Sequence, residues 1–421
     1  MQKYQSSAYR SYVLGFLTLI YAVNFIDRQL LSILQESIKV DLSLSDTQLG
    51  LLTGFAFALF YVLAGIPMAR WADRSSRRNV ISISIALWSF MTAISGMASN
   101  FVQLLLARVG VGVGESGCSP PAHSMISDMY PPEQRATALS FYSVGINIGI
   151  MLGFLLGGVI NQYFGWRTAF FVVGAPGIII ALVFYFTVSE PDRGWSEKVQ
   201  VSTDQVPFSA VLDAILKQRF LLHISAGAAM SALAGYALVN WTASYYIRVH
   251  QVETAELGVW LAFGVGVFGS IGTFGWGYLC DRYGQKDRRW YAWLPCIAIL
   301  LAIPLVFVVF TAANPKFGLT VNLLIAAFTT GYLGAALAVF HGAVKPRMRA
   351  TASALFFLII NIVGLGIGPT LIGAVSDALA GSYGVDSLRY AILIVVPIAC
   401  IWSASHFLLA GRLMSENSAK A

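Results

Sequence analysis

The sequence has little charge and little cysteine. Only 11% of its 421 residues are charged, while 57% are hydrophobic. A soluble domain of this length needs far more charged side chains to cover its surface, so the composition excludes an ordinary soluble protein. The cysteines lie in or beside apolar runs, without metal-ligand or disulfide spacing, so we expect them to be small packing residues. They are Cys118, Cys280, Cys296 and Cys400.

The sequence predicts no nucleotide-binding site of either common kind. No Walker lysine motif occurs, which argues against a self-contained ATP-driven pump. The glycines at 112–117 satisfy G-x-G-x-x-G, but no strand precedes them and they fall inside an apolar run. Dinucleotide binding is therefore excluded.

What the chain does have is a series of apolar runs, each long enough to cross about 30 Å of hydrocarbon. Twelve of them predict an all-α membrane protein with twelve transmembrane helices. The longest connection, at 190–218, is charged and contains two prolines, so we expect a cytoplasmic linker between six-helix bundles at 1–189 and 219–421. The runs are about 11–35, 47–70, 79–98, 101–126, 135–163, 167–188, 219–249, 255–280, 289–312, 318–344, 350–378 and 387–411.

The net charge of +7 follows membrane topology rather than nucleic-acid binding. If the N-terminus is inside, cytoplasmic ends and loops carry 20 of the 27 Lys and Arg, and external loops carry five. This asymmetry is the positive-inside pattern, and it predicts that both termini are cytoplasmic. The first run follows Lys3 and Arg10 and is too long for a cleaved signal, so we expect it to remain as a helix.

Two segments repeat between the halves. The sequence PEQRATA at 132–138 recurs as PRMRATA at 346–352, and ARWADRSSRR at 69–78 recurs as GYLCDRYGQK at 277–286. Both copies of each pair fall in predicted cytoplasmic loops. Halves that repeat in the same orientation are the arrangement of major facilitator transporters.

At these residues the chain resembles the major facilitator superfamily. Its hallmark loop, G-x-x-x-D-R-x-G-[RK]-[RK], matches twice, with Ala69 and Ser76 replacing glycines in the first copy and Gln285 replacing a basic residue in the second. The fourth-helix signature, an arginine followed by glycines, matches 108–114. The resemblance implies two pseudo-symmetric six-helix bundles that work by alternating access.

A narrower resemblance is to bacterial members of the Spinster family of lipid transporters. It is carried by NFIDR at 24–28 and by 108–116, where Glu115 stands in place of the usual small residue. It implies a multi-pass protein of the bacterial inner membrane, whose relatives move lysophospholipids and sphingoid lipids.

Four charges lie deep inside the predicted spans, away from their ends: Asp27, Arg28, Arg108 and Glu115. Ionised side chains at membrane depth are costly, so they usually serve function. Burial favours the neutral form of a carboxyl group and a neighbouring arginine favours the ionised form, so we expect Asp27, beside Arg28, and Glu115 to couple transport to protons. Arginine stays charged, so Arg28 or Arg108 is expected to bind an anionic headgroup. The alternative is that the four charges only hold helices together.

The Asp-Arg loops are expected to form a cytoplasmic gate. The family resemblance implies that each aspartate pairs across to a neighbouring helix, caps a helix N-terminus and holds the outward-facing state. Plain topology-setting charge is the alternative for the flanking basic residues. The expected gate residues are Asp73, Arg74, Arg135, Asp281, Arg282 and Arg349.

The second half has no charged residue deep inside its predicted spans. Its side of a cargo cavity is therefore expected to be lined by aromatic and amide side chains. A cavity that is charged on one side and apolar on the other suits an amphipathic cargo. The cavity-lining candidates are Asn24 from the first half and Tyr236, Asn240, Trp241, Tyr245, Tyr332, Phe340, His341, Phe357 and Asn361 from the second.

Glycines at 145, 149, 153 and 157 recur every fourth residue, and Gly364 and Gly368 recur in the second half. Small residues at this spacing predict close helix packing.

Together these features predict a monomeric secondary active transporter of an amphipathic lipid-like substrate, embedded in the bilayer. It is expected to use the proton gradient and no cofactor, and to bind no nucleic acid. The rivals are a proton-coupled symporter of small organic anions, a multidrug exporter, and a lipid-binding sensor that transports nothing.

Overall fold

The computed structural model of the chain describes residues 4, 6–195, 207–345 and 348–418, so part of the predicted linker lies outside the described residues. No strand occurs among them. In chain order the elements are α1 (Ser7–Leu42), α2 (Asp46–Gly50), π1 (Leu51–Phe55), α3 (Ala56–Arg74), α4 (Arg77–Ser95), α5 (Phe101–Ser116), α6 (Ser119–Met129), α7 (Pro132–Thr187), α8 (Phe208–Leu216), α9 (Arg219–His250), α10 (Thr254–Leu261), π2 (Ala262–Phe268), α11 (Gly269–Gly284), α12 (Trp290–Thr311), α13 (Pro315–Thr329), α14 (Tyr332–Ala343), α15 (Arg349–Ile359), π3 (Ile360–Ile367), α16 (Gly368–Tyr383), a 3₁₀ turn (Gly384–Asp386) and α17 (Ser387–Ser418).

Within the described part of the chain, eight helical stretches are long and apolar enough to cross a membrane. Two of them, Glu133–Thr187 and Thr351–Met414, contain 55 and 64 residues. At about 1.5 Å per residue, each is more than twice as long as the hydrocarbon is thick. Gly165 (φ 81°) and Gly384 (φ 53°) interrupt them, in a conformation that glycine adopts without steric penalty. Each stretch therefore has room for more than one crossing, and the count of twelve stays a prediction.

The chain forms two compact units, each of which takes a short segment from the other half of the sequence. The first unit comprises Met1–Leu44, Ala56–Thr203 and Glu253–Ala262. In it α1 lies along α7, α7 also packs on α4 and α10, and α3 packs on α5.

Glycines on α7 set how closely it approaches α1. A Cβ atom on Gly145 would lie 2.7 Å from the carbonyl oxygen of Thr18, and one on Gly153 would lie 2.9 Å from that of Ile26. These distances are shorter than ordinary van der Waals contact, so only glycine fits. The close packing predicted from the four-residue spacing is confirmed.

The second unit comprises Ser45–Phe55, Asp204–Val252 and Phe263–Ala421. Its α9 packs on α17 and π3, and α16 packs on α17 and α2. A Cβ atom on Gly364 would lie 2.5 Å from the Ala232 side chain, and one on Gly368 would lie 2.8 Å from the Leu233 carbonyl oxygen. The predicted packing role of these glycines is confirmed as well.

Both units expose large apolar side chains. Phe164 and Phe186 of the first unit are 70% and 77% exposed, and Phe274 of the second is 78% exposed. Such surfaces suit hydrocarbon, in which helices are stable because their backbone groups are bonded internally. The four cysteines are buried and unpaired, in keeping with the predicted packing role.

Candidate functional site

The four deep charges all lie in the first unit, where α1 carries Asp27 and Arg28 and α5 carries Arg108 and Glu115. Arg108 and Glu115 are seven residues apart, which is close to two helical turns, so both face α1. Asp27, Arg108 and Glu115 are each only 1% exposed. The Arg28 side chain, at 16%, is the most accessible of the four.

The charges form two ion pairs between α1 and α5. Arg108 Nη1 donates to Asp27 Oδ1 over 3.1 Å, and Arg28 Nε donates to Glu115 Oε2 over 2.6 Å. Consecutive residues of a helix point about 100° apart, so Asp27 and Arg28 take different partners instead of each other. The partner of Arg28 is therefore Glu115, two helical turns from Arg108 on α5, and not the adjacent Asp27.

Thr92, on α4, is a site residue that the sequence analysis missed. Its hydroxyl donates to Asp27 Oδ2, so both oxygens of that carboxylate are bonded. Hydrogen bonds to an ionised acceptor favour the ionised form. The α4 helix also buries the hydroxyl groups of Ser84 and Ser89, and no sequence motif distinguishes Thr92 from them.

Aromatic rings surround the Arg28 guanidinium. Its carbon lies 4.8 Å from the ring centroids of Phe25 and Tyr61 and 5.1 Å from that of Phe57. Arg108 lies 5.5 Å from the same Phe57 ring, so this ring contacts both arginines. Such cation–π contacts stabilise a desolvated cation by up to about 2 kcal/mol.

A glycine of the α5 signature lets α3 bring Phe57 to the site. A Cβ atom on Gly112 would lie 2.9 Å from the Phe57 carbonyl oxygen, which is too close for any larger residue. The glycines after Arg108 thus have a packing role beside the charges.

The site keeps unused hydrogen-bonding capacity. Among the described residues, Arg108 Nε, Glu115 Oε1 and both amide atoms of Asn24 are buried and have no hydrogen-bond partner. Most buried polar atoms in proteins are bonded, so this concentration is unusual. Each carboxylate also lies within electrostatic range of both arginines. A proton or an ion that binds to one pair therefore acts on the other.

Three aromatic candidates of the second half are core residues. Trp241 and Tyr245 have no exposed surface, and they donate to the carbonyl oxygens of Pro369 over 2.9 Å and Phe310 over 3.1 Å. Phe340 is 1% exposed. Their burial assigns these three to the core of the second unit rather than to a cavity wall. Periodicity does not separate an aromatic stripe that faces a core from one that faces a cavity.

The other candidates of the second half keep some accessible surface or local bonds. Asn240 is 5% exposed and donates to the Tyr236 carbonyl oxygen over 2.8 Å. His341 Nε2 lies 2.7 Å from the Ser353 hydroxyl oxygen. Phe357 is 39% exposed. The candidates of the second half that are partly exposed are Tyr236, Tyr332, His341 and Asn361.

The expected gate residues are mostly exposed, each in its own unit. Asp281 accepts from the Tyr291 hydroxyl over 3.0 Å, and Arg349 donates to the His341 carbonyl oxygen over 3.0 Å. The predicted pairing across the two halves stays a prediction. Arg135 is half-buried and donates to the Ser127 carbonyl oxygen over 2.9 Å. The exposed candidates are Asp73, Arg74, Asp281, Arg282 and Arg349.

A second charged cluster, at the N-terminus of α4 in the first unit, was also missed. Arg77 is 1% exposed, pairs with Asp128, donates to Glu190 Oε1 over 2.7 Å and donates to the Pro191 carbonyl oxygen over 2.7 Å. Glu190 also accepts from the Arg78 amide, at the N-terminus of α4, where the helix dipole favours an anion. Burial raises the pKa of Glu190, but these hydrogen bonds outweigh it and hold that pKa below its ordinary value.

The family follows from comparison with known proteins. The model of the Major Facilitator Superfamily matches residues 17–365. The chain belongs to the Major Facilitator Superfamily. Within it, this transporter is similar to a crystal structure of a bacterial homologue of the human lysosomal transporter Spinster, in an inward-facing and unoccupied conformation. The TM-score is 0.91, with 34% identity over 98% of each chain.

Two curated relatives extend the similarity. This major facilitator chain is 33% identical to an MFS-type efflux pump of Mycolicibacterium smegmatis, over 93% of this chain and 91% of the relative. It is 27% identical to protein spinster homolog 1 of Xenopus tropicalis, over 98% of this chain and 83% of the relative. The predicted Spinster resemblance is confirmed, and the chain is a membrane transporter and not an enzyme.

Proposed function

We propose that this protein is a proton-coupled secondary active transporter that moves an amphipathic, lipid-like substrate with an anionic or zwitterionic head and an acyl tail. Lysophospholipids and sphingoid lipids are the expected class. One observation carries the proposal: Arg28 is bonded to Glu115, is surrounded by three aromatic rings and is the most accessible of the deep charges. A cation within an apolar wall suits a charged head that is joined to a hydrocarbon tail.

Proton binding at Glu115 would free Arg28 for cargo. A proton neutralises the carboxylate, which weakens its ion pair, and the guanidinium can then bind a phosphate or carboxylate with two parallel hydrogen bonds. Release of the proton restores the pair and displaces the cargo.

Asp27 and Arg108 are assigned to proton exchange rather than to cargo binding. Both are buried, and Thr92 completes the bonding of Asp27, so this pair suits proton exchange better than contact with cargo. Because each carboxylate is within electrostatic range of both arginines, a change at one pair alters the other.

The same proposal includes twelve transmembrane helices, both termini in the cytoplasm of a bacterial inner membrane, a monomer, and no cofactor besides the proton gradient. The distribution of Lys and Arg and the two over-long helical stretches support this topology.

A second candidate is export of hydrophobic compounds. It is favoured by the 33% identity to an MFS-type efflux pump and by the aromatic surroundings of Arg28. A preference for anionic over cationic cargo separates the two, because two buried arginines should repel a cation.

Flux of a lysolipid panel into proteoliposomes, with and without an imposed pH gradient, tests the proposal. Lysolipids with anionic and zwitterionic heads should move faster with the gradient, while a cationic dye and a short organic acid should not. Gradient-driven flux of the dye alone would establish the efflux pump, and flux of the acid alone would establish an organic-anion symporter. Binding of lysolipid without any flux would contradict transport.

A further inference from the structure

Asn24, on α1, is a buried amide with no hydrogen bond in the described part of the chain. It is 2% exposed, and neither its amide nitrogen nor its amide oxygen has a partner among the described residues. Burying an amide without a hydrogen bond costs about 1–3 kcal/mol, and most buried polar atoms avoid this cost by bonding. A leucine of similar volume would fill the same position without it. Packing alone therefore does not explain an asparagine here.

Two other buried amides of the described chain do form bonds. Asn161, on α7, donates to the Ser37 hydroxyl over 2.9 Å, and Asn240, on α9, donates to the Tyr236 carbonyl oxygen over 2.8 Å. Within the residues that the structure describes, Asn24 alone has both amide atoms buried and unpartnered. Its amide thus keeps a complete donor and acceptor pair for a group that the protein does not supply.

Asn24 lies on the same face of α1 as Asp27 and Arg28. Residues three and four apart on a helix are neighbours, with Cβ atoms about 5–6 Å apart. The opposite face packs on α7, because a Cβ atom on Gly149 would collide with the backbone of Ala22, which points about 200° away from Asn24. The free amide is therefore directed toward the side of α1 that carries the ion pairs with α5.

The chemistry of an amide selects the group that can satisfy it. A phosphate or a carboxylate only accepts hydrogen bonds and an ammonium only donates them, so each of these bonds to half of the amide. A hydroxyl donates and accepts at once, so it can bond to the amide oxygen and the amide nitrogen together. Arg28, one helical turn away, suits an anion instead. The two side chains together match a cargo with an anionic group and a hydroxyl close to each other.

A lysophospholipid carries these two groups side by side. In the form acylated at the terminal glycerol carbon, the free hydroxyl lies on the carbon next to the one that is esterified to phosphate. The separation of the two groups is therefore one that a single helical turn can match. A diacyl phospholipid has an ester in place of this hydroxyl, and an ester oxygen accepts hydrogen bonds but donates none. The ordinary lipids of the bilayer thus leave the amide half satisfied.

We propose that Asn24 binds a free hydroxyl of the cargo beside the head that Arg28 binds, and that this contact distinguishes lysolipids from diacyl lipids. The assignment rests on the proposed function, and it narrows the cargo to amphiphiles with a hydroxyl one or two carbons from the head. A site that bonds a substrate hydroxyl rejects an analogue without it, because the buried amide is then left unpaired.

Equilibrium binding of two matched lipids to the purified protein in detergent tests the proposal. One is lysophosphatidylcholine with a single myristoyl chain and a free central glycerol hydroxyl, and the other has hydrogen in place of that hydroxyl. The ratio of the two affinities should be about tenfold larger in the parent protein than in Asn24→Leu, equivalent to about 1.4 kcal/mol. Partition of each lipid into micelles is the same for both proteins, so it cancels when the ratios are compared.

Asn161→Leu is the matched control. Asn161 is also a buried amide of the first unit, but its nitrogen bonds to Ser37. The variant should keep the affinity ratio of the parent and unfold at a lower temperature, because it removes this bond. Asn24→Leu removes no bond among the described residues, so it should unfold at the temperature of the parent or above it. If Asn24→Leu does not fold, Asn24→Ala should show the same loss of preference.

The possible results separate this assignment from the proposed function. An affinity ratio that is equal in the parent and in Asn24→Leu would overturn the assignment and leave the amide to bound water. A ratio that falls as far in Asn161→Leu would also contradict it, because the effect would not be specific to Asn24. If the parent transports both lipids equally well, the proposed function stands and the assignment alone is wrong. If the parent binds neither lipid, the proposed function is contradicted, and the assignment falls with it.

Discussion

Two buried ionic clusters differ in how completely they are bonded. In the second unit, Asp46 accepts from the two terminal nitrogens, Nη1 and Nη2, of Arg248 and from the Ser376 hydroxyl. In the first unit, Arg108 Nε and Glu115 Oε1 are buried with no hydrogen-bond partner among the described residues. A saturated cluster holds one arrangement of its helices. An unsaturated cluster keeps donors and acceptors for a ligand or a proton, and this difference separates a packing contact from the proposed cargo and proton site.

The largest effect is expected at Asp27. Asp27→Asn keeps the shape and the Thr92 contact but cannot carry a proton and leaves the buried Arg108 without its counter-ion. Gradient-driven transport in proteoliposomes should fall to background, and stability should fall by about 3–5 kcal/mol, the cost of breaking a buried pair. Transport that keeps its pH dependence in this variant would remove Asp27 from the mechanism.

Thr92→Val provides the conservative control for that experiment. It removes one hydrogen bond to the Asp27 carboxylate and leaves the ion pair, so transport should persist with its half-maximal rate at higher pH. The sign follows because the lost donor favoured the ionised carboxylate. An unshifted pH profile would show that Thr92 does not act on the proton step.

The two arginines should respond differently to alanine. Arg28→Ala should weaken binding of an anionic lysolipid about tenfold to a hundredfold, because hydrogen bonds to charged groups contribute about 1.5–3 kcal/mol. Arg108→Ala should mainly lower thermal stability, because it leaves Asp27 buried and unpaired. Equilibrium binding and thermal unfolding of both variants, measured in detergent, check this. The assignment of Arg28 to cargo is wrong if Arg108→Ala causes the larger loss of affinity in folded protein.

A packing change near the site should have a moderate effect. A Cβ atom on Gly153 would lie 2.9 Å from both the Gln29 side chain and the Ile26 carbonyl oxygen. Gly153→Ala should therefore lower stability by about 1–3 kcal/mol through overpacking. Gly15→Ala on α1 is the control, since a Cβ atom there has nothing within 4 Å. Equal unfolding temperatures for the two variants would contradict the close contact of α1 with α7.

An effect that depends on pH is expected at the cluster of Arg77 with Glu190. The pKa of Glu190 is held below its ordinary value, so its charge stabilises the fold above about pH 4.3 and this contribution is lost as pH falls through the lowered pKa. Glu190→Gln should lower stability near neutral pH by about 1–3 kcal/mol and by less in acid. Unfolding of both proteins at pH 7 and pH 4 measures this, and a constant difference would contradict the assignment.

Much of this fold was predictable from the sequence, because a small number of strong physical rules constrain membrane proteins. Runs of apolar residues predicted helices, and the repeated loops predicted the family. The four-residue glycine spacing on α7 predicted its contact with α1. The pairing of the charges was not predictable, because Asp27 and Arg28 are adjacent in sequence and point to different partners on α5. Thr92, Arg77 and Asp46 were missed because hydroxyls and charges near span ends are common and carry no motif.

The sequence by itself determined that this chain is a helical membrane transporter of the Major Facilitator Superfamily, and that its deep charges are confined to one half. These properties follow from composition and local pattern, which do not depend on distant contacts. Only the tertiary structure decided which carboxylate pairs with which arginine, which aromatic residues are core, and that the ends of two spans change unit at π-helical turns. Each of these depends on residues up to hundreds of positions apart meeting in space, which side-chain direction and helix packing set.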